Sequence, residues 1–478
     1  MKLLFTIIAV AFAMACAPVD KLPDNVEDQP GMEDSTLVEP KDTTEAPDTP
    51  ADPETPGDNE PPVQTEPDWV APDVNVPDNY PDFERVPLQS RIENVQPMTG
   101  IVLWTSNSRS NSKKEYIQLE FSYMLYNEVC KEKDVYDWTP MDQLLEEVAA
   151  RGHQLVVRFR YTYVGKQCAV PDYIKAWPGY EETVGKSEGR TTYFPDWRCE
   201  ELQRFHLDFH KRFAERYDND PRLAFVQTGF GLWAEYHIYD GPKIMGRTFP
   251  SKDFQEIFYK EMDTYFKNTT WSISIDAADP SYSPLKAKPE LLNIRFGNFD
   301  DSFMHEDHGD YNRDCWLFFN VDERYKTAPC GGEFSYYTDY DQAHCLDKEG
   351  MHGRKFENEV AKYHMTYING NDQPNKQPME RIKEASMAMG YKFEIKDFRI
   401  KGEQAVVFIA NMGVAPIYRD AYVAVNGIRG EYSLKNLMPG EGVWIEVSGP
   451  GITAETTPKI ECDHLVPGQV IEYDADIK

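Results

Sequence analysis

Three observations predict an α/β protein built as a (β/α)8, TIM-type barrel followed by a small all-β sandwich domain. Between residues 98 and 390, short apolar runs alternate with amphipathic helices about eight times, the pattern of a parallel sheet with crossover helices. No run is followed by G-x-G-x-x-G or G-x-x-x-x-G-K-[ST], so a doubly wound open sheet, the runner-up, lacks its phosphate loop. From residue 391 the periodicity changes to apolar–polar alternation between Gly, Pro and Asn turns, which reads as an antiparallel sandwich.

The elements follow in order. Apolar strands fit residues 98–104 and 116–126. A helix follows, with Thr139 as N-cap, Pro140 in its first turn and Gly152 as its stop. It feeds a strand over 154–161 that ends in Arg158, Phe159 and Arg160. A helix at 197–217 precedes a strand at 223–229, and a helix at 252–267 precedes a strand at 271–276. Further strands fit 291–296, a stretch ending near Gly331, and 363–368, with a last helix at 376–388. The sandwich strands fit 393–400, 405–410, 421–425 and 442–447.

The 478 residues are 41% hydrophobic and 13% aromatic, which excludes a wholly disordered chain, and a net charge of −31 argues against a nucleic-acid partner. About half of that charge lies in residues 17–80, which hold 18 Asp and Glu against 2 Lys, together with 13 Pro. Such a segment buries too little to offset its ordering entropy and reads as an extended acidic tether. Before it, Lys2 and the apolar run Leu3 to Ala15 end in Ala13-Met14-Ala15-Cys16. This resembles a bacterial lipoprotein signal with Cys16 as the lipidated residue; an ordinary cleaved signal is the alternative. The expected organisation is therefore a signal at 1–16, a tether at 17–80, a barrel at 81–390 and a sandwich at 391–478. The expected location is outside the cytoplasm, on a bacterial and by preference outer membrane. Seven further cysteines match no zinc spacing. Export permits pairing, and Cys168–Cys199 and Cys330–Cys345 would each close one loop.

Chemistry in such a barrel sits at the C-terminal strand ends. Glu235 follows the fourth strand in Gly229-Phe-Gly-Leu-Trp233-Ala-Glu235-Tyr-His237, and Glu333 ends the seventh in Cys330-Gly331-Gly332-Glu333. Two carboxyls facing each other across a barrel mouth are what glycoside hydrolysis needs, one as proton donor and one as nucleophile or base. Around them, Arg158, Arg160, Trp233, His237, Asp276, Arg295, Asp301, Tyr336 and His364 are candidate substrate-binding residues. The alternatives are structural: Arg158 and Arg160 as ion-pair partners of Glu235 or Asp276, and His364 as a satisfied core residue on the eighth strand. Residues 300–310 gather Asp300, Asp301, His305, Glu306, Asp307, His308 and Asp310. They match neither EF-hand nor H-E-x-x-H spacing and read as a solvated loop after the sixth strand. No metal and no cofactor is expected.

Four segments carry a resemblance: Ala149 to Tyr161, Val226 to His237, Arg295 to Phe303 and Gly331-Gly332-Glu333. They resemble an uncharacterised family of exported, glycosidase-like barrel lipoproteins with a C-terminal β-sandwich. More distantly, the chain is similar to the clan of retaining glycosidases with acids on strands four and seven. The resemblance implies Glu235 as acid/base and Glu333 as nucleophile, acting on oligo- or polysaccharide. The sequence departs from the clan at Ala234, where Asn is usual, and from the family at Asp300-Asp301, where Asn-Asp is usual. Two other functions stay open: a surface protein that binds glycan without cleaving it, and a structural lipoprotein with a degenerate barrel.

Overall fold

The structure is a computed structural model that describes residues 68–478. The expected signal, Cys16 and most of the tether lie outside the described residues. Eight strands form a closed barrel: β1 (Gly100–Trp104), β2 (Leu119–Leu125), β3 (Gln154–Arg160), β4 (Leu223–Gln227), β5 (Thr270–Ser274), β6 (Gly297–Phe303), β7 (Cys330–Phe334) and β8 (Met365–Asn369). Each pairs in parallel with its neighbours in sequence, and β8 returns to β1. Strands buried on both faces read as continuous apolar runs, and all residues of β3, β4, β5 and β8 are buried.

Three long helices pack on the outer wall: α1 (Thr139–Ala150), α2 (Glu200–Tyr217) and α3 (Lys252–Tyr265). Helix α1 starts one residue earlier than expected. Trp138 caps it, and Asp137 Oδ1 accepts the Thr139 N–H at 3.0 Å. Gly152, at φ +81°, ends it in the left-handed conformation that a side chain disfavours. Helix α2 turns Phe205, Phe209 and Phe213 inward, with Phe209 and Phe213 4.8 and 5.3 Å from the Phe159 ring of β3. Burying each such ring contributes about 2–3 kcal/mol.

The sixth strand lies further along than the sequence suggested. The apolar stretch 291–296 is a 3-10 turn (Pro289–Asn293) and a linker. There Arg324 gathers the carbonyls of Leu292, Ile294 and Phe296. The strand itself is Gly-Asn-Phe-Asp-Asp-Ser-Phe, which puts Asp300 and Asp301 in the barrel wall rather than in a loop after it. All seven cysteines among the described residues are free, so the expected pairs Cys168–Cys199 and Cys330–Cys345 do not form.

Beyond the barrel come β9 (Phe393–Lys401), β10 (Gln404–Asn411), β11 (Ala421–Val425), β12 (Ile428–Arg429), β13 (Gly442–Ser448), β14 (Pro458–Cys462) and β15 (Tyr473–Ile477). One sheet runs β13-β10-β9-β15 and a second runs β12-β11-β14. The first is completed by Leu88–Ser90 on β15 and Glu84–Arg85 on β9, so the chain just before the barrel belongs to this sheet. The β9–β15 pair is parallel, whereas the other pairs are antiparallel.

These sheets close one end of the barrel. Gln154, at the start of β3, donates to His464 O, and Gln469 donates to Gln118 just before β2. Arg419 reaches Thr269 Oγ1 and Leu223 O at the starts of β5 and β4. All these contacts lie at the N-terminal strand ends. A single apolar cluster continues from Phe121, Val156, Phe225 and Tyr367 inside the barrel into Phe393, Ile395 and Val407 of the sheet. These C-terminal sheets are thus a floor, and the C-terminal strand ends are left as the mouth. No helix among the described residues is long and apolar enough to cross a membrane.

Candidate functional site

Parallel register brings the site together. Tyr123 of β2 stands beside Arg158 of β3, and Arg158 beside Gln227 of β4. The Arg158 guanidinium is 2% exposed and is the hub of the mouth. It donates to Gln227 Oε1 from Nε (2.9 Å) and Nη2 (2.7 Å), and from Nη1 to Trp233 O (3.2 Å), Tyr123 OH (3.3 Å) and Glu235 Oε1. Its carbon lies 4.2 Å from the centre of the Phe299 ring. Gln227 in turn donates to Tyr367 OH at 2.9 Å. The expected pairing of Arg158 with Glu235 is observed. Arg160 sits over the Tyr163 ring at 4.4 Å, and burial lowers its pKa.

Glu235 is carried by a tight knot after β4. Gly231 N–H donates to Glu235 O at 2.7 Å, Leu232 N–H to His237 O at 3.0 Å, and Glu235 N–H to Leu232 O at 3.0 Å. Trp233 and Ala234 both take left-handed backbone, φ +53° and +58°, a strain of order 1–3 kcal/mol each. The glycines make the knot possible. A Cβ on Gly229 would lie 2.2 Å from Ala234 O, and one on Gly231 2.0 Å from His237 O. Such strain persists only where surrounding contacts over-determine it, which marks the knot as a positioning device. Trp233 stacks on exposed Tyr239, with ring centres 5.9 Å apart.

The knot aims His237 at the ends of β5 and β6. His237 Nδ1 lies 3.0 Å from Asp276 Oδ2 and 3.6 Å from Asp301 Oδ2, and Nε2 lies 3.5 Å from Glu235 Oε2. Asp276 follows β5 in a 3-10 turn, where Ser274 Oγ and Tyr311 OH also donate to it. Burial opposes the charge of both partners, yet their mutual hydrogen bond raises the His237 pKa and lowers that of Asp276. Asp301 differs. Burial, then the charges of Asp276 and Glu235, drive its pKa far up, and a hydrogen bond with Glu235 adds to the rise. Single donor atoms of Glu235, His237 and Asp301 lie within 4.8 Å of one another, a spacing that would also fit a small cation.

Glu333 ends β7 opposite, with Asn369 Nδ2 of β8 donating to its Oε1 at 3.3 Å. Its strand must be glycine-rich, because a Cβ on Gly331 would fall 2.3 Å from the Tyr367 ring. Burial pushes the Glu333 pKa to about 8; Arg158 opposes this, and Glu235 and Asp372 add to it. Tyr336, just beyond, is exposed at the rim and feels Glu333 and Asp372.

Two expected residues lie elsewhere. Arg295 precedes β6 and donates to Phe266 O and Lys267 O near the barrel floor, because the strand starts six residues later than expected. His364 precedes β8 at the same end. It bonds Val414 O at 2.7 Å and stacks on Tyr325 at 3.5 Å, as a structural residue does. The 300–310 cluster is also divided. Asp300 is held by Asn312, Trp316 and Ser302 N–H, while His308 lies between Asp300 and Glu359. His305 pairs with Asp341. Sequence reasoning missed Tyr123, Gln227, Tyr311 and Tyr337; polar ends on buried strands were the available signal for the first two.

No protein-family model and no curated protein matches the sequence. Among solved structures, the chain is similar to the glycoside hydrolase family 30 subfamily 8 xylanase Xyn30A from Clostridium acetobutylicum, at 10% identity over 76% of this chain and 98% of that one, TM-score 0.35. It is similar to xylanase10C from Cellvibrio japonicus at 9% identity over 64% and 74%, TM-score 0.40. It is also similar to GH5_18 from Streptomyces cattleya, in complex with GlcNAc, at 10% identity over 62% and 79%, TM-score 0.37. The reaction has to be argued from this chain's own residues.

Proposed function

We propose that the protein is a glycoside hydrolase-like enzyme acting on oligo- or polysaccharide, with Glu333 as the proton donor and Glu235 as the anionic partner. This exchanges the roles that the sequence resemblance implies. The observation that supports it is the split environment of two glutamates at the ends of β4 and β7. Arg158 holds Glu235 Oε1, whereas burial and neighbouring acids raise Glu333 to about 8. A carboxyl driven toward its protonated form beside a second one paired with an arginine is an arrangement that suits acid–base work.

In the reaction, protonated Glu333 gives its proton to the glycosidic oxygen as the C1–O bond breaks. The Glu235 carboxylate either attacks C1, forming a glycosyl-enzyme ester that a water deprotonated by the Glu333 carboxylate then hydrolyses with net retention, or takes a proton from an attacking water, giving inversion. Trp233, Tyr239, Tyr336 and Tyr337 offer ring faces at the rim, and His237 with Asp276 orients the Glu235 side of the mouth. The test is a panel of xylo-, manno-, gluco- and chito-oligosaccharides with wild type, Glu235→Gln and Glu333→Gln. Loss of the donor should cost about 10²–10⁴ in rate. Aryl glycosides with acidic leaving groups should restore bond cleavage to Glu333→Gln only, and azide should give a glycosyl azide of inverted configuration with Glu235→Gln but of retained configuration with Glu333→Gln. Full activity in either variant removes that residue from the mechanism, and the reverse rescue pattern restores the roles implied by resemblance. Proton NMR of the first anomer released distinguishes retention from inversion.

One observation favours the second reading, glycan capture without cleavage: Glu235 is 4% exposed and one of its oxygens is engaged by Arg158. That reading expects saturable binding, no product, and no effect of either Gln variant. The membrane attachment is likewise a proposal. Lipid on Cys16 with the acidic tether would hold the barrel outside the cytoplasm, and Cys16→Ser should move the protein from the membrane fraction to the soluble one.

A further inference from the structure

Resting on the reading that the mouth receives a carbohydrate, we propose that the sugar it takes carries a free amine, seated against Asp301, Asp276 and Tyr337 on the β5–β6 side.

The argument begins with charge. The mouth holds Glu235, Asp276, Asp301, Glu333 and Asp372. Its cations are Arg158, Arg160 and His237. Arg158 is committed to Glu235 and Gln227. His237 Nδ1 is nearer Asp276 (3.0 Å) than Asp301 (3.6 Å), and one nitrogen carries one proton. Asp301 is therefore the carboxyl whose nearest cation is already used. The groups that face it are Glu235 and His237 from the β4 knot, Asp276 from the β5 turn, Asp300 from its own strand, and Tyr337 and Cys315 from the flanking segments. It is still reachable, because its side chain is 16% exposed.

Acids alone would not make a site, and two further features point to a ligand. Tyr311, 50% exposed, donates its OH to Asp276 at 3.3 Å, and Tyr337, 66% exposed, lies within the field of Asp301 and Asp276, so aromatic rings flank the carboxylates as in ammonium recognition. Across the mouth, Asn369 is 6% exposed and donates to Glu333, while its Oδ1 is buried without a partner. A buried acceptor without a donor costs about 1–3 kcal/mol, which an incoming N–H or O–H would recover. The excess of carboxyls also disfavours uronic and sulfated sugars.

Binding is non-covalent: the ligand ammonium sits against the Asp301 and Asp276 carboxyls, and no bond to carbon changes. The experiment is calorimetric titration of the full protein at pH 7 with a glucosamine hexamer, its N-acetylated counterpart and a neutral glucose hexamer. The expected result is at least tenfold tighter binding of the amine. Asp301→Asn should lose the preference. Tyr337→Leu, at an exposed ring that leaves folding intact, should weaken the amine selectively. Equal or tighter binding of the neutral or acetylated hexamer overturns the amine inference and leaves the carbohydrate reading standing. Binding of none of the three overturns the carbohydrate reading and the inference with it. Zinc or calcium binding that depends on Asp301, with no sugar binding, overturns both in favour of a cation site.

Discussion

Replacing Glu333 by Gln should stabilise the protein, and by an amount that grows with pH. Glu333 has its pKa raised from 4.5 to about 8 by burial and by its acidic neighbours. An acid whose folded pKa is raised stays protonated in the native state over a range where the unfolded chain ionises. Its cost to stability is therefore absent below pH 4.5, grows between 4.5 and 8, and is complete above 8. At 1.36 kcal/mol per pH unit the limit is about 5 kcal/mol; water reaching this half-buried group brings that to about 3–5. Gln mimics the protonated acid and keeps a carbonyl oxygen for Asn369, so the variant escapes the cost. With an unfolding entropy of about 2.1 cal/mol/K per residue over roughly 400 residues, 1 kcal/mol moves Tm by about 1 °C. Calorimetric scans should thus give a Tm gain under about 1 °C at pH 4.5, rising to about 3–6 °C at pH 8.5. Groups elsewhere titrate in both proteins and cancel in the difference. A gain that does not change with pH, or a wild type that is the more stable at pH 8.5, would refute the raised pKa. Glu333 would then have no claim to donate a proton at neutral pH.

Arg158→Met should cost about 3–5 kcal/mol in denaturant titration, because it strands Glu235 at 4% exposure. Adding Glu235→Leu should recover most of that loss, and a simple sum of the two single losses would contradict the coupling. Gly331→Ala should destabilise by about 1–3 kcal/mol, because its methyl would lie 2.3 Å from the Tyr367 ring; Tyr367→Leu in the same chain should relieve it. A thiol reagent added after unfolding without reductant should titrate all seven cysteines from Cys130 to Cys462, and a shortfall of two would signal a disulfide.

The barrel was legible because its strands are apolar on both faces and its long helices carry clean stripes. The sixth strand was not, and the reason is solvation. A run such as Leu291 to Phe296 reads as a strand on hydrophobicity, while Gly297 to Phe303 carries two aspartates and an asparagine. Asp300 is nevertheless fully buried, because Asn312, Trp316 and the Ser302 N–H satisfy it, and no local pattern announces those partners. The shift carried Arg295 out of the site and Asp301 into the wall. His364 failed for a simpler reason: it lies at the N-terminal end of β8, and the mouth is at the C-terminal end, so no small shift of the strand brings it to the site. Glu235 and Glu333 could be found by place in the chain. Their electrostatic neighbourhood could not, since Tyr123, Arg158, Gln227, Asp276 and Asp301 meet only through register and barrel closure.

The same closure explains why the site tolerates so many acids. The C-terminal sheets close the floor through Arg419, Gln469 and the cluster that runs from Phe225 to Phe393, at the end opposite the mouth. The mouth can then hold features that would otherwise relax: two left-handed residues before Glu235 and a raised glutamic acid. Each costs on the order of 1–5 kcal/mol. A ligand that supplied positive charge near Asp301 and donors near Asn369 would recover part of these costs on binding. The destabilised mouth and the closed floor are therefore two aspects of one design, in which binding energy is stored where the substrate arrives.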